Sequence, residues 1–335
     1  MLKMKNTRRG FIGKLGAGMA AAAAYPILSP LLSCNGQRTE AQGQVTDGVD
    51  LFFKISLAEW SLNRALFGGQ LDHLDFPLYA KDNFGIDAVE YVNQFFMDKA
   101  NDQTYLGDLK TRCDDNGITS VLIMCDMEGD LGDTGQAQRK TAVENHYKWV
   151  EAAQFLGCHA IRVNAAGEGE EEEVARCAAE SLTTLATFAS DYGISVIVEN
   201  HGGYSSNGKW LSGVMRAVGL SNCGTLPDLG NFCIKRTEPA EQTVEAYMAT
   251  ECLEEYDRYQ GTAELLPFAK GISAKTYDFD TDGNESSIDY NRILKMVKDT
   301  GFTGYVGIEY EGHSLAANEG IAKTKAMLER IGSSV

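Results

Sequence analysis

The chain has 335 residues, 44% of them hydrophobic and 23% charged, with a formal net charge of −17. That length suits one large α/β domain or two ordinary ones, and that composition excludes global disorder. Residues 1–34 hold five bases and no acid, so the remainder sets 25 bases against 47 acids, or −22; such a surface repels nucleic acid and anionic membranes but leaves room for a locally positive or metal-lined pocket.

The first segment, NTRRGFIGKLGAGMAAAAAYPILSPLLSC, reads as an address rather than as fold. The pair Arg8-Arg9 precedes a weakly apolar Gly/Ala-rich stretch, a layout that resembles a twin-arginine secretion leader. Leu31-Leu32-Ser33-Cys34 resembles a lipobox, in which Cys34 becomes the lipidated first residue of the mature protein. Residues 35–50 are polar and aperiodic and read as a tether. The expected location is therefore the periplasmic side of a membrane, contacted only through the lipid anchor. The seven cysteines beyond Cys34 are scattered singly with no CxxC pair, which argues against a zinc ribbon or thioredoxin-like site and for small buried apolar residues.

A regular alternation begins at residue 51. FFKISLAEW reads as a strand, FPLYAKDNF as a short helix, IDAVEYV as a strand, TYLGDLKTRCDDNG as a helix and ITSVLIMCD as a strand. A helix over 138–156, the strand HAIRVNAAG, and a helix with acids in its first turn follow. Next come the strand ISVIVENHGG, the helix NGKWLSGVMRAVG and a strand within NCGTLPDLGNF. An insert of helical pattern covers 238–269. Then GISAKTYDF, SIDYNRILKMVKDTG, TGYVGIEYEG and a last helix over about 315–331 complete the chain. The strands are short, apolar almost throughout and rich in Val and Ile, as parallel strands covered on both sides are. Glycines at 85, 117, 193 and 301 sit where helix C-caps would feed the next strand. Eight strand–helix units over 51–335 predict a (β/α)8 TIM barrel. No GxGxxG follows the first strand, which weakens a dinucleotide-binding reading.

A barrel carries its chemistry at the C-terminal ends of its strands. Those ends hold Glu59 and Trp60, Glu90 and Tyr91, Cys125 and Asp126, Arg162 and Asn164, then Glu199, Asn200 and His201, then Asp228 and Asn231, then Ser273 and Lys275, then Glu309 and Glu311. Three acids, Glu199, Asp228 and Glu309, come from the fifth, sixth and eighth barrel strands. Converging carboxylates repel unless a proton or cation is shared, so a divalent metal is expected there. Oxygen ligands favour Mn²⁺ or Mg²⁺; an added imidazole would admit Co²⁺ or Zn²⁺.

VENHGG, LPDLGN, SAKTYDF and GYVGIEYEG resemble, in order, the fifth to eighth strands of the xylose-isomerase-like TIM barrels, sugar isomerases and epimerases with an endonuclease branch. The resemblance spans roughly residues 52–331. It implies metal ligands at Glu199, Asp228 and Glu309, with Glu199 and Glu309 doubling as the acid/base pair. It also implies that Lys275 contacts a sugar hydroxyl or an enediolate oxygen. The family often reads His-Val-Lys-Asp on the seventh strand, where this chain has Ser273-Ala274-Lys275-Thr276. Three outcomes follow: Ser273 acts through a water, His201 replaces the imidazole, or the site is weakened. Trp60, Asn164, His201 and Asn231 are candidate substrate contacts, with Tyr91 and Trp210 as further rings for a sugar face or for the core.

These residues predict an enzyme that removes a proton next to the carbonyl of a free sugar, keto-sugar or glycoside, giving isomerisation or epimerisation. Elimination from a 3-keto-glycoside is the alternative reaction. A non-catalytic sugar-binding lipoprotein is the alternative of another class. The expected partner is a small carbohydrate and not nucleic acid, and a homo-oligomer is compatible with the chain.

Overall fold

The computed structural model describes residues 50–238, 240–241 and 250–335. The expected leader at 1–34 with Cys34, nearly all of the tether and residues 242–249 of the insert lie outside them. The strands are β1 (Lys54–Ala58), β2 (Ala88–Val92), β3 (Thr119–Met124), β4 (Ala160–Val163), β5 (Ser195–Glu199), β6 (Cys223–Leu226), β7 (Cys233–Arg236), β8 (Cys252–Glu255), β9 (Ile272–Thr276) and β10 (Tyr305–Tyr310). Eight of them form one parallel sheet in the order β6-β5-β4-β3-β2-β1-β10-β9. The two ends of that sheet meet. Ser273 N donates to Pro227 O at 2.9 Å and Leu229 N to Ser273 O at 3.1 Å, beside bridges that pair Thr225 with Ala269 and Asp228 with Ser273. The result is the expected (β/α)8 barrel, nearly closed, with helices between its strands.

Local sequence explains the helix ends. Asp102, Asn207, Asp257 and Asp289 each accept a backbone N–H from the first turn of the helices Gln103–Asp115, Gly208–Val218, Arg258–Leu265 and Tyr290–Asp299. Glu171, Glu172 and Glu173 open the helix Glu171–Ser190. Gly85, Gly117, Gly193 and Gly301 lie just past helix ends with φ between 62° and 75°, the left-handed region where glycine carries no Cβ penalty. No helix among the described residues is long and apolar enough to cross a membrane.

Strand alternation separates two cores. Leu57, Val89, Val196, Ala274 and Ile308 belong to the main cluster that packs against the helices. Ala58, Ala88, Val92, Leu122, Met124, Ile197 and Leu226 form a smaller cluster on the opposite faces, inside the barrel. Glu90, Glu199, Ser273, Lys275 and Glu309 alternate with the outer set, so their side chains enter the barrel too.

The insert departs from the expected helical pattern. Cys252–Glu255 is a strand, paired antiparallel with β7, and Cys233 and Cys252 are joined by a disulfide. Helix is confined, among the described residues, to Arg258–Leu265 and the short turn Leu266–Phe268. The pairing partner lies 19 residues away in sequence, beyond the reach of any local periodicity. The remaining described cysteines, at 113, 125, 158, 177 and 223, are free and buried.

Candidate active site

Three carboxylates meet at the C-terminal end of the barrel. Glu199 ends β5, Asp228 follows β6 and Glu309 lies in β10; all three are buried, and one oxygen from each falls within 4.8 Å of the others. No histidine atom of the described residues joins this group. The ends of β5 and β6 are tied together by Asn200, whose Nδ2 donates to Asp228 O at 2.9 Å and whose Oδ1 accepts from Asp228 N at 2.7 Å. Asp228 Oδ1 accepts from the backbone N–H groups of Gly230 and Asn231 at 2.8 and 2.9 Å, which leaves Oδ2 for the site.

Ser273 stands where the family pattern has histidine, and its hydroxyl lies between Asp228 Oδ2 (2.9 Å) and Glu309 Oε2 (2.8 Å). Lys275, only 1% exposed, reaches Glu309 Oε1 at 2.9 Å, Glu311 Oε1 at 3.0 Å and Asp228 Oδ2 at 3.3 Å. Gly230 makes that reach feasible, since a Cβ there would stand 2.6 Å from Lys275 Cγ. Burial works against the ammonium, but Asp228, Glu309 and Glu311 outweigh it and hold its pKa well above the ordinary lysine value.

The second fixed cation is Arg162 from β4, which the sequence reading placed at a strand tip without a role. Its NH1 donates to Asp126 Oδ1 at 2.6 Å, and its Nε lies 2.8 Å from Glu199 Oε2. The latter pair is close but misaligned: neither atom makes a hydrogen bond, so Glu199 Oε2 is a buried oxygen without one. Asn231 Nδ2 donates to Glu199 Oε1 at 3.2 Å. Asn164 Nδ2 donates to Asp126 Oδ1 at 2.8 Å and Gln94 Nε2 to Asp126 Oδ2 at 3.3 Å. The sequence reading placed Asp126 and Arg162 at strand tips without a role and missed Gln94. The usable signal was Arg162 itself, a charge inside the apolar run Ala160–Val163.

Glu90 enters the barrel below this cluster. Its Oε1 accepts from Ser56 Oγ at 2.6 Å, its Oε2 has no partner, and Gly307 clears the space, because a Cβ there would meet Glu90 oxygens at 2.6 Å. Burial first, then Glu309 and Glu199, push its pKa up to about 8. Burial likewise raises Glu199 to about 7, with Glu309 adding and Arg162 opposing, and raises Asp228 to about 7 against Lys275. For Glu309 burial is overcome by Lys275 and Ser273, and its pKa is lowered. Burial is also overcome at Asp126, which Arg162 and His201 hold below the ordinary range.

The other candidates scatter. Trp60 packs at the barrel mouth against the inner cluster. Tyr91 faces outward and is wholly buried, its hydroxyl 2.8 Å from Ser120 Oγ. Trp210 lies on an outer helix and donates to Glu171 O at 3.2 Å. Both rings are core, not sugar platforms. His201 is an exposed residue that does not join the trio.

The donor set fits a divalent cation. Three buried carboxylates converge, one of their oxygens has an ion pair but no hydrogen bond, and Lys275 and Arg162 leave the acids Glu199, Asp228, Glu309, Glu311 and Asp126 in excess. A family model described as xylose isomerase-like TIM barrel matches residues 78–331. The chain belongs to that family. Among solved structures of this barrel type, an IolI protein with a bound zinc atom aligns with a TM-score of 0.62 at 17% identity over 84% of this chain and 99% of its own. The 3-keto-D-glucoside 4-epimerase of E. coli aligns with a TM-score of 0.59 at 13% identity over 84% of this chain and 100% of its own. Identities this low establish the shared xylose isomerase-like fold alone. Local sequence similarity reaches two deglycosidases: the C-glycoside deglycosidase alpha subunit of Arthrobacter globiformis, 38% identical over 53 residues (16% of this chain), and the 3'-dehydrocarminate deglycosidase alpha subunit of a Microbacterium species, 30% over 57 residues (17%). The alignments span only 15% and 16% of those relatives' lengths.

Proposed function

We propose that this chain is a metal-dependent enzyme that moves a proton at the carbon beside the carbonyl of a keto-sugar or keto-glycoside. The observation that carries the reading is the convergence of Glu199, Asp228 and Glu309 within 4.8 Å at the catalytic end of the barrel. These three would hold the ion, with the Ser273 hydroxyl as the nearest further oxygen. A bound Mn²⁺ or Mg²⁺, or Zn²⁺ as in the IolI neighbour, would supply Lewis acidity to the carbonyl and so acidify the adjacent C–H.

The chain's own groups do the rest. Glu199 keeps one oxygen without a hydrogen bond, so its carboxylate is free to take a substrate proton and return it. Lys275 holds Glu309 ionised and offers a positive charge to an enediolate oxygen. Arg162 and Asn231 fix the Glu199 carboxylate from two sides. Return of the proton to the opposite face gives an epimer, and return to the neighbouring carbon gives an isomer. The deglycosidase similarity favours a second reading: the carbanion expels the glycosidic oxygen two bonds away, which leaves with a proton as the free alcohol or phenol, and a double bond remains in the sugar.

The proposed setting is the periplasmic side of a membrane, with Cys34 as lipid anchor. The Cys233–Cys252 disulfide supports an oxidising compartment. Elemental mass spectrometry of the purified protein tests the centre: about one divalent ion per chain is expected, lost in Glu199→Gln, together with deuterium uptake from D2O beside the ketone of a keto-sugar. Absence of metal after Mn²⁺ loading, with sugar binding insensitive to chelator, would leave a carbohydrate-binding protein instead.

A further inference from the structure

Among the described residues, three large apolar side chains are exposed: Phe67 (56%), Met127 (81%) and Leu253. Phe67 ends the short helix after β1, Met127 follows β3, and Leu253 lies in β8. Of the three, Phe67 has further apolar rings beside it, the arrangement that marks a binding surface.

Phe67 is part of a ring cluster. Trp60 lies 6.0 Å from Phe67 and 6.2 Å from Phe95, and Phe67 lies 4.9 Å from Phe95, centroid to centroid. Phe67, Phe95, Gln94, Leu71 and Tyr105 line a cavity of about 370 Å³. Two contacts run from the neighbours of these rings to the reacting centre. Ser61, next to Trp60, donates to Ile308 O at 3.1 Å and accepts from Tyr310 N at 2.9 Å, the two residues that flank Glu309. Gln94 donates to Asp126, which holds Arg162 against Glu199. Trp60 and Phe95 pack against the inner barrel cluster, so a ligand with its sugar on the carboxylates and its other end toward β1 would lie over Trp60 and Phe67.

Resting on the keto-glycoside reading above, we propose that Trp60, Phe67 and Phe95 form a subsite for a flat aromatic aglycone, so that the substrate is an aryl glycoside rather than a free sugar. Rings with exposed faces stack on planar groups, whereas a free sugar would leave this surface uncovered. Calorimetric titration with 4-nitrophenyl and methyl β-D-glucoside, and turnover of the two corresponding 3-keto-glucosides, test it. The aryl compounds should bind about tenfold or more tightly than the methyl ones, and Phe67→Ala should collapse that ratio. Aryl-selective binding lost in Phe67→Ala, without turnover of any keto-glycoside, would uphold the subsite and sink the reaction. Turnover with equal use of aryl and methyl substrates would sink the subsite and leave the reaction standing. A dimer that Phe67→Ala converts to monomer would overturn the proposal, since a second copy would then cover the rings.

Discussion

Two buried glutamates close two strands of the same barrel and do opposite things. Glu59, just past β1, has each oxygen matched to one partner: His73 Nδ1 lies 2.7 Å from Oε1, and Val92 N donates to Oε2 at 2.9 Å. Aromatic rings wall the pair in, with Phe96 stacked on His73 at 4.2 Å. Glu199, at the end of β5, shares two cations with four other carboxylates and keeps one oxygen without a hydrogen bond. Burial alone does not make a carboxylate reactive. An acid whose partners are matched one to one holds elements together; an acid in a cluster with surplus negative charge is poised to take up a metal or a proton.

The sharpest way to break this contrast is Glu309→Gln. It should lower kcat about 10²–10⁴-fold in a proton-exchange assay, while the thermal midpoint stays close to the parent, because the cluster is electrostatically crowded. Equal activity in the variant would place the acid/base pair elsewhere. Glu59→Gln should do the reverse. It leaves a buried polar network imperfectly matched and should cost about 1–3 kcal/mol in denaturant unfolding, with kcat nearly unchanged. A large loss of kcat without loss of stability would move Glu59 into the reacting centre.

Glu90 gives the smallest and most graded effect. Its folded pKa of about 8 lies above the unfolded value of about 4.3, so the fold binds the extra proton between those limits. The stability that comes from the protonated form is full below about pH 4.3 and declines as pH rises through about 8. Glu90→Gln, which mimics the protonated acid, should flatten that slope. Its thermal midpoint should exceed the parent's at pH 9, by a few degrees for each ~1 kcal/mol regained, and match it near pH 5. A parallel pair of stability curves would show that Glu90 is ionised in the fold.

Part of the site was legible because it depends on local pattern. The run SVIVE announces a strand with its carboxylate at the tip, and the same holds for Asp228 after β6 and Glu309 in β10. Glu90 and Tyr91 were not separable in this way. Both sit in AVEYV, a strand buried along its whole length, where no polar alternation tells inside from outside. The register shift between Val89 and Glu90 against β3 adds a step that sequence does not announce. Tyr91 therefore turned out to face the helices, and Glu90 the barrel interior.

The sequence by itself determined the order of the eight barrel strands and the helices between them, the glycine stops and the three acids at strand tips, because those features are written within a few neighbouring residues. Only the tertiary structure decided that Arg162 braces Glu199, that Ser273 bridges Asp228 and Glu309, that His201 stands outside the trio, and that Cys233 finds Cys252. These are encounters between groups distant along the chain. Hydrogen bonds and Coulomb forces act across space, and barrel closure sets which strands become neighbours.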